Sequence, residues 1–462
     1  MMSTTSSAKN FKPASAPARL PSSKILLERL SGLHPKTIDL SLDRMTRLLA
    51  ALGNPERRLP PVVHVAGTNG KGSLVAFVRA IAEAQRRRVH TYTSPHLVTF
   101  HERIGLAHED GNAPISEERL IECLSLVESV NGNQPITHFE ITTAAAFVAF
   151  SQESADLLLL ETGLGGRLDA TNVVQSPRAT VITPISIDHV SFLGDTLASI
   201  ATEKAGILKP GVPCIVGRQE PEALAVIEAK AAEVGAQLHV FGRDFDVFER
   251  DGRLIFQSHT RMINLPLPRL EGAHQIDNAG TAIATASLLF NQKLSLDSLE
   301  EGLSTASWPG RLQRLNKEPY QTYLGPNTEL LLDGGHNEAG GAVVAAHLDA
   351  MKARDPREVH LIWGMMETKD AASVLRHFQG RVSRVYTVPI PGEENAFSAS
   401  DLAEIAEREG FPVVPTRSLH HALLLSKAAM SEPGRVLIFG SLYLAGHVLR
   451  FEHASDLTQG VR

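Results

Sequence analysis

Cysteine is nearly absent: Cys123 and Cys214 are the only two in 462 residues. Thiols that scarce build neither a disulfide framework nor a multi-cysteine metal site, and a reducing compartment fits best. Aromatic residues make up 5% of the chain, too few for a platform on which single-stranded nucleic acid stacks. Lys and Arg number 45 against 51 Asp and Glu, a formal net charge of −6. No basic surplus exists to displace counterions from a nucleic-acid backbone, so any phosphate site must be local. No apolar run approaches the roughly 20 residues that span a bilayer, and none resembles a secretory core. The expectation is a soluble cytoplasmic protein with no nucleic-acid or membrane partner. Residues 1–23 are rich in Ser, Ala and Pro without an acidic residue, and Pro13, Pro17 and Pro21 interrupt the amphipathic helix of an organellar leader. That stretch reads as a disordered tail.

What is present is apolar residue in bulk, 43% against 21% charged, enough for large cores. The length suggests two domains. The chain is organised around VVHVAGTNGKGS, from Val62 to Ser73. An apolar β-branched run stops at Ala66, glycines follow at 67, 70 and 72, and a helical pattern begins after Lys71 and Ser73. This is strand, phosphate loop and helix. Glycine lets backbone N–H groups turn onto an anion, and the helix N-terminus adds partial positive charge. Lys71 would meet the outer phosphates, with Ser73 near a magnesium ion. Gly67 and Gly70 enclose only Thr68 and Asn69, a shorter interval than the common phosphate loop has. An ordinary GTPase is therefore not indicated.

Along the chain, residues 24–52 read as helical with a short connection at Thr37, Ile38, Asp39 and Leu40. RVHTYTS reads as a second strand, and Ser94 to Ser116 as a long irregular functional loop. Helices are expected around Glu117–Val130 and Ile141–Phe150, then strands in ADLLLLE, ATVITPIS and PCIVG. Gln237 to Leu270 suggests a small antiparallel insertion, followed by a helix from Asp277 to Phe290. A boundary falls near Trp308, Pro309 and Gly310, after which ELLLDGG, VHLIWGM, RVYTVPI and RVLIFGS restart the rhythm. The fold class is α/β: a phosphate-loop domain over 24–307, with a parallel sheet and small antiparallel insertion, then a Rossmann-like α/β domain over 308–462.

Ligands of open α/β sheets bind beyond the carboxyl ends of strands, so polar residues there carry the chemistry. Glu161 ends the LLLL strand, where a carboxylate facing the phosphate loop suits magnesium. In the following GLGGRLDATN, Arg167 and Asp169 can pair with each other or bind substrate. Asp188 and His189 follow the fourth strand, the histidine as a candidate second ligand, and Lys204 by composition alone reads as a solvated helix lysine. In the second half Asp333, His336 and Asn337 again end a strand. The carboxylate could meet ribose hydroxyls and the imidazole a reacting carbonyl, while Asn337 could simply cap a helix. Arg311 sits at the expected hinge, where a guanidinium could close onto a γ-phosphate or lie on the surface.

These residues resemble the dihydrofolate synthase and folylpolyglutamate synthase family, within the ATP-dependent Mur ligases. The resemblance runs from about Leu27 to Leu449 and is carried by KTIDLSLDRM, HVAGTNGKGS, YTSPHLVTFHERI, HFEITTAAAF, ETGLGGRLDATN, IDHVSFLGDTLASIATEKAGILKP, WPGRLQ, LDGGHNEAG and FGSLYLAGHV. It implies that Thr68, Asn69, Gly70 and Lys71, with Gly72 and Ser73, cradle ATP, and that Ser94, Glu161 and His189 coordinate Mg2+. Lys204 matches a lysine that the family carbamylates, giving an anionic ligand for a second magnesium. Asn278 would contact adenine, Arg311 the γ-phosphate and Asp333 the ribose side. Ile38, Asp39, Leu40, Phe139, Leu168, Asp169 and Ala170 match the pterin region, and His336 and Ser441 lie near the incoming glutamate. Lys71, Lys204, Arg311 and His336 are then the catalytic set. Glu338, Thr368 and His447 depart from common family residues, which bears on the glutamate pocket and not on the ATP chemistry. The implied activity adds L-glutamate to dihydropteroate and to reduced folates through an acyl phosphate, by a monomer. Two rival readings are a ligase for a UDP-linked cell-wall precursor and a phosphate-loop ATPase switch that makes no amide.

Overall fold

The computed structural model describes residues 22–33, 41–315 and 319–459. Residues 1–21 of the expected tail, and Ile38, Asp39 and Leu40, lie outside the described residues. Ser23, read as tail, instead opens the helix Ser23–Ser31, tied by its N–H and hydroxyl to the Glu117 carboxylate at 2.9 and 2.6 Å.

The first lobe is built on an eight-stranded sheet. In chain order its strands are β1 (Val62–Ala66), β2 (Val89–Tyr92), β3 (Ile104–His108), β4 (Gly111–Pro114), β5 (Leu157–Glu161), β6 (Ala179–Ile182), β7 (Cys214–Val216) and β8 (Leu238–Val240). Their spatial order is β4-β3-β2-β5-β1-β6-β7-β8. β1 lies parallel between β5 and β6, with Val65 opposite Glu161 on one side and Val181 on the other. Every residue of these three strands is buried, so their sequences read as unbroken apolar runs. The faces still alternate. Leu158 and Leu160 enter the core beneath the helix His138–Gln152, while Leu157 and Leu159 enter the core beneath the helix Lys71–Ala84.

Two expectations need correction here. The stretch read as one irregular loop carries the antiparallel pair β3 and β4 at the sheet edge. Its alternation of Ile104 and Leu106 with smaller residues is hidden by the polar turn around Gly111, whose φ is +115°. The segment read as wholly antiparallel begins with β8, which joins the parallel sheet beside β7. The insertion proper is the antiparallel sheet of β9 (Phe245–Arg250), β10 (Arg253–Ser258) and β11 (Met262–Pro266).

The second sheet begins just after Trp308–Gly310. It contains β12 (Gln313–Arg314), β13 (Glu329–Asp333), β14 (Val359–Trp363), β15 (Arg384–Thr387), β16 (Val413–Pro415) and β17 (Arg435–Phe439), ordered β12-β13-β17-β14-β15-β16. All neighbours are parallel except β12 and β13. Four of these strands match the expected ones, whereas β12 and β16 are too short to leave a pattern. The lobes are packed together. Leu97 and Val98, from the loop after β2, sit against the second lobe's core, and a Cβ on Gly446 would fall 1.9 Å from the Leu97 carbonyl oxygen. No helix among the described residues is long and apolar enough to cross a membrane.

Candidate active site

The carboxyl ends of β1, β2, β5 and β6 meet the loops after β13 and β17 in one cleft between the lobes. The phosphate loop follows β1 and is held by β6: the Thr68 and Asn69 N–H groups donate to the Pro184 carbonyl at 2.9 and 3.2 Å. Glycine is required at two of its positions. Gly67 has φ +152° and a Cβ would lie 1.8 Å from the Thr183 hydroxyl; Gly70 has φ +86° and a Cβ would lie 2.6 Å from Asn278 Oδ1. Gly72 makes room for the Trp308 indole, which locks the interlobe connection onto the first turn of the helix Lys71–Ala84.

Within the cleft Lys71 Nζ donates to the carbonyls of Gly67 and Thr68 at 3.0 and 3.2 Å and lies 3.8 Å from Glu161 Oε1. Burial pushes the Glu161 carboxyl above its usual range against the attraction of Lys71. Its other oxygen accepts from the Ser94 N–H at 3.3 Å, which brings the ends of β2 and β5 together. Lys204 is buried, not solvated, and donates to the Gly67 carbonyl at 2.9 Å. Desolvation, and then the charge of Lys71, bring its amine down to about 7.

From the second lobe, His336 stands 3.7 Å from Asp188 Oδ2, and Lys369 forms an ion pair with Asp188 Oδ1. Burial opposes the charge of Asp188, but His189, Lys369 and His336 outweigh it and hold the carboxyl below the ordinary range. Burial lowers His189 and His336 to about 4 each, so both imidazoles are neutral near pH 7. Arg311 also lines the cleft, and among the described residues no carboxylate is within ion-pair distance of its guanidinium. The next residue is fixed: the Leu312 N–H donates to Asp333 Oδ2 at 2.9 Å, and Gly335 N–H to Oδ1 at 2.6 Å.

Thr68, Asn69, Gly70, Lys71, Gly72, Ser94, Glu161, His189, Lys204, Arg311 and His336 thus share one cleft. Ser73 is buried beneath it, where its hydroxyl accepts from Gln275 Nε2 at 3.2 Å; Gln275 Oε1 accepts from Asn278 at 3.0 Å. Asp333 fixes the interlobe connection through Leu312. Ser441 is buried after β17, its hydroxyl accepting from the Tyr443 N–H at 3.1 Å. Phe139 lies against the loop after β5, where a Cβ on Gly163 would fall 2.4 Å from its ring, and that loop carries Leu168, Asp169 and Ala170. Asp169 does not pair with Arg167. Its carboxylate accepts from Gly163, Leu164 and Thr171 N–H and from the Thr171 hydroxyl, whereas Arg167 pairs with Glu203 at 2.8 Å.

Lys369 and Gln275 escape the sequence reading. Lys369 follows the end of β14, so the strand-end rule that found Glu161 applies to it as well. Gln275 lies in the first turn of the helix Ala273–Phe290, whose start the sequence reading placed four residues later, at Asp277. Among the described residues no three of His, Cys, Asp and Glu converge so as to hold a metal ion by themselves. Glu161, a strand-end carboxylate beside the phosphate loop, is a donor that fits magnesium, which keeps waters and takes substrate phosphate oxygens beside one or two carboxylates.

Residues 65–286 match the family described as Mur ligase middle domain, and residues 316–451 match dihydrofolate synthetase, C-terminal domain. The chain is 33% identical over 426 residues to the dihydrofolate synthase/folylpolyglutamate synthase of Bacillus subtilis, covering 88% of this chain and 94% of that protein. It is 32% identical to the folylpolyglutamate synthase of Lacticaseibacillus casei over 421 residues, 88% of this chain and 92% of that protein. A solved structure of Escherichia coli FolC in complex with DHPP and ADP superposes with a TM-score of 0.84 at 31% identity, covering 96% of this chain and all of that one, 100%. With the phosphate loop, the strand-end carboxylate and the second-lobe histidine in one cleft, these matches establish that the chain belongs to the dihydrofolate synthase/folylpolyglutamate synthase family of Mur-type ligases.

Proposed function

We propose that the protein uses ATP to join L-glutamate to dihydropteroate and to reduced folates. The observation that carries this is the convergence of Lys71, Glu161 and Lys204 from the first lobe with Arg311 and His336 from the second on one phosphate-sized cleft. Relatives provide the chemical context: one solved synthase holds Mn, AMPPNP and L-glutamate, and another holds ADP and DHPP.

The chemical problem is that a carboxylate is an anion without a leaving group. Transfer of the ATP γ-phosphoryl group to a carboxylate oxygen gives an acyl phosphate and ADP. The glutamate amine then attacks the carbonyl, passes through a tetrahedral intermediate and expels phosphate, leaving an amide. The loop amides of Thr68 to Lys71 hold the phosphates, and Lys71 and Arg311 balance charge that builds on them during transfer. Asp333 positions Arg311 by fixing the backbone of Leu312. Asn278 is placed over Gly70 for the adenine side. Neutral His336 can accept the proton that the glutamate nitrogen sheds once its amine has added to the carbonyl, and Ser441 lies at the adjacent strand end. Phe139 and the loop of Leu168, Asp169 and Ala170 form the wall for the pterin. Ser94, Glu161, His189 and a carbamylated Lys204 would hold magnesium, which when bound supplies positive charge to the phosphate oxygens. Closure of the lobes keeps water from the acyl phosphate. A cleft completed by one chain supports action as a monomer, and two scattered cysteines support a cytoplasmic setting.

The test is incorporation of labelled glutamate with ATP and dihydropteroate, tetrahydrofolate or a UDP-muramoyl acceptor. Product from either of the first two is expected. Product from the last alone, or ATP hydrolysis indifferent to all three, overturns the reading.

A further inference from the structure

Arg103 ends the 3-10 turn Phe100–Arg103 and precedes β3. Its carbonyl accepts from the Thr93 N–H at 3.0 Å, and Ile104 pairs with Tyr92, which itself pairs with Leu160 of β5. The residue therefore stands at the carboxyl end of the sheet, three strands from β1 and its phosphate loop and two from β5, whose end carries Glu161. Its side chain is partly buried and rests against the Phe100 ring, 5.2 Å from the centroid. Among the described residues its one side-chain acceptor is His96 Nδ1 at 3.0 Å, and no carboxylate is within ion-pair distance. Glu102, the nearest acid in sequence, is spent on the N–H groups of Leu97, Val98 and Thr99.

A partly buried arginine held by a single ring nitrogen keeps several donors unspent, and withdrawing a cation from water without an anion beside it is costly. Leu97, from the same loop, lies directly against Gly446 of the last helix of the second lobe. The position is thus between the lobes, on the side of Glu161 away from the phosphate loop.

We propose that Arg103 binds a carboxylate of the acceptor itself: the spare carboxylate on the terminal glutamyl residue of a reduced folate, the one that does not receive the phosphoryl group. This rests on the ligase reading above. Dihydropteroate ends in a single benzoate carboxylate and has no such group, whereas every glutamylated acceptor presents one. Arg103 would then be a specificity residue that favours chain extension over first addition. The incoming glutamate also carries an α-carboxylate, but its expected neighbours, His336 and Ser441, lie in the second lobe.

The experiment compares initial rates of the wild-type protein, Arg103→Gln and Arg103→Lys with dihydropteroate and tetrahydrofolate, varying each acceptor and then L-glutamate. For Arg103→Gln the ratio of kcat/KM for tetrahydrofolate to that for dihydropteroate falls about tenfold or more, the loss expected for a charge-assisted contact. Arg103→Lys, which keeps the charge, restores part of the ratio and serves alone if the glutamine variant does not fold. Equal losses with both acceptors, a rise in KM for L-glutamate shared by both, or an unchanged ratio overturns the assignment. A wild-type chain that extends dihydropteroate but not tetrahydrofolate also overturns it while leaving the ligase intact; one that extends neither sinks the ligase reading itself.

Discussion

Asn69 of the phosphate loop and Asn337 of the second lobe exchange side-chain amide hydrogen bonds across the cleft, at 3.4 and 3.2 Å. Asn337 Oδ1 also accepts from the Gly340 N–H at 2.9 Å, capping the helix Glu338–Arg354, and its amide donates to Asp188 at 3.0 Å. One side chain therefore starts a helix and ties it to the loop that holds the nucleotide. Residues in one network couple energetically. Asn69→Ala and Asn337→Ala should each lower kcat/KM for ATP. The double variant should lose less than the product of the single losses, by a factor of about five. A double-mutant cycle measures this, and strictly multiplicative losses would contradict the linkage.

Glu161 sets activity against stability. Burial raises its pKa, so the folded state resists the charged form; that penalty is full above the folded pKa, shrinks as pH falls below it and is gone below the unfolded pKa. Glu161→Gln should raise the thermal midpoint at pH 8 while lowering turnover about 100-fold or more. A variant that melts earlier than wild type at pH 8 would refute the electrostatic account.

Lys204 has an amine near 7, so about half is unprotonated at neutral pH, against roughly a thousandth for an ordinary lysine. Only the neutral amine reacts with carbon dioxide. Wild-type protein in 13C-labelled bicarbonate should show a carbamate resonance that Lys204→Arg lacks, with turnover of the variant reduced at least about 100-fold. A spectrum without that resonance removes the carbamate from the site.

Glu271 links the lobes through Arg314 at 2.5 Å and His347 at 3.6 Å. Burial works against its charge, but His347 and Arg314 prevail and bring the carboxyl to about 2. The depressed value means that its stabilisation is present above the unfolded pKa of about 4.3 and is lost as pH falls toward 2. Glu271→Gln should therefore melt earlier than wild type at pH 6, with the gap closing between about pH 4 and 2. A constant gap across that range would contradict the ion-pair origin.

The sheet cores and the phosphate loop were legible because their causes are local. Leu157 to Leu160 form an apolar run that only a doubly covered strand needs, and Gly67 and Gly70 mark positions that a side chain cannot occupy. What escaped depends on distant partners. β12 is two residues long and exists because β13 lies beside it. β8 is three residues long, two of them only partly buried, and is told from the insertion only by pairing with β7. Lys204 resembles any helix lysine until the fold buries it beside Gly67, and Lys369 gains meaning only against Asp188, far away in sequence. Of the two uses open to Asp169, pairing with Arg167 is not the one found, for the same reason: its partners are backbone amides, which have no letter in a sequence.

The central claim is that the acceptor carboxylate takes the γ-phosphoryl group before nitrogen attacks. The most direct measurement uses dihydropteroate labelled with 18O in its carboxylate, with mass analysis of the phosphate and ADP released per glutamate added. One labelled oxygen in the phosphate and none in ADP is the predicted outcome. Unlabelled phosphate at full product yield would contradict it.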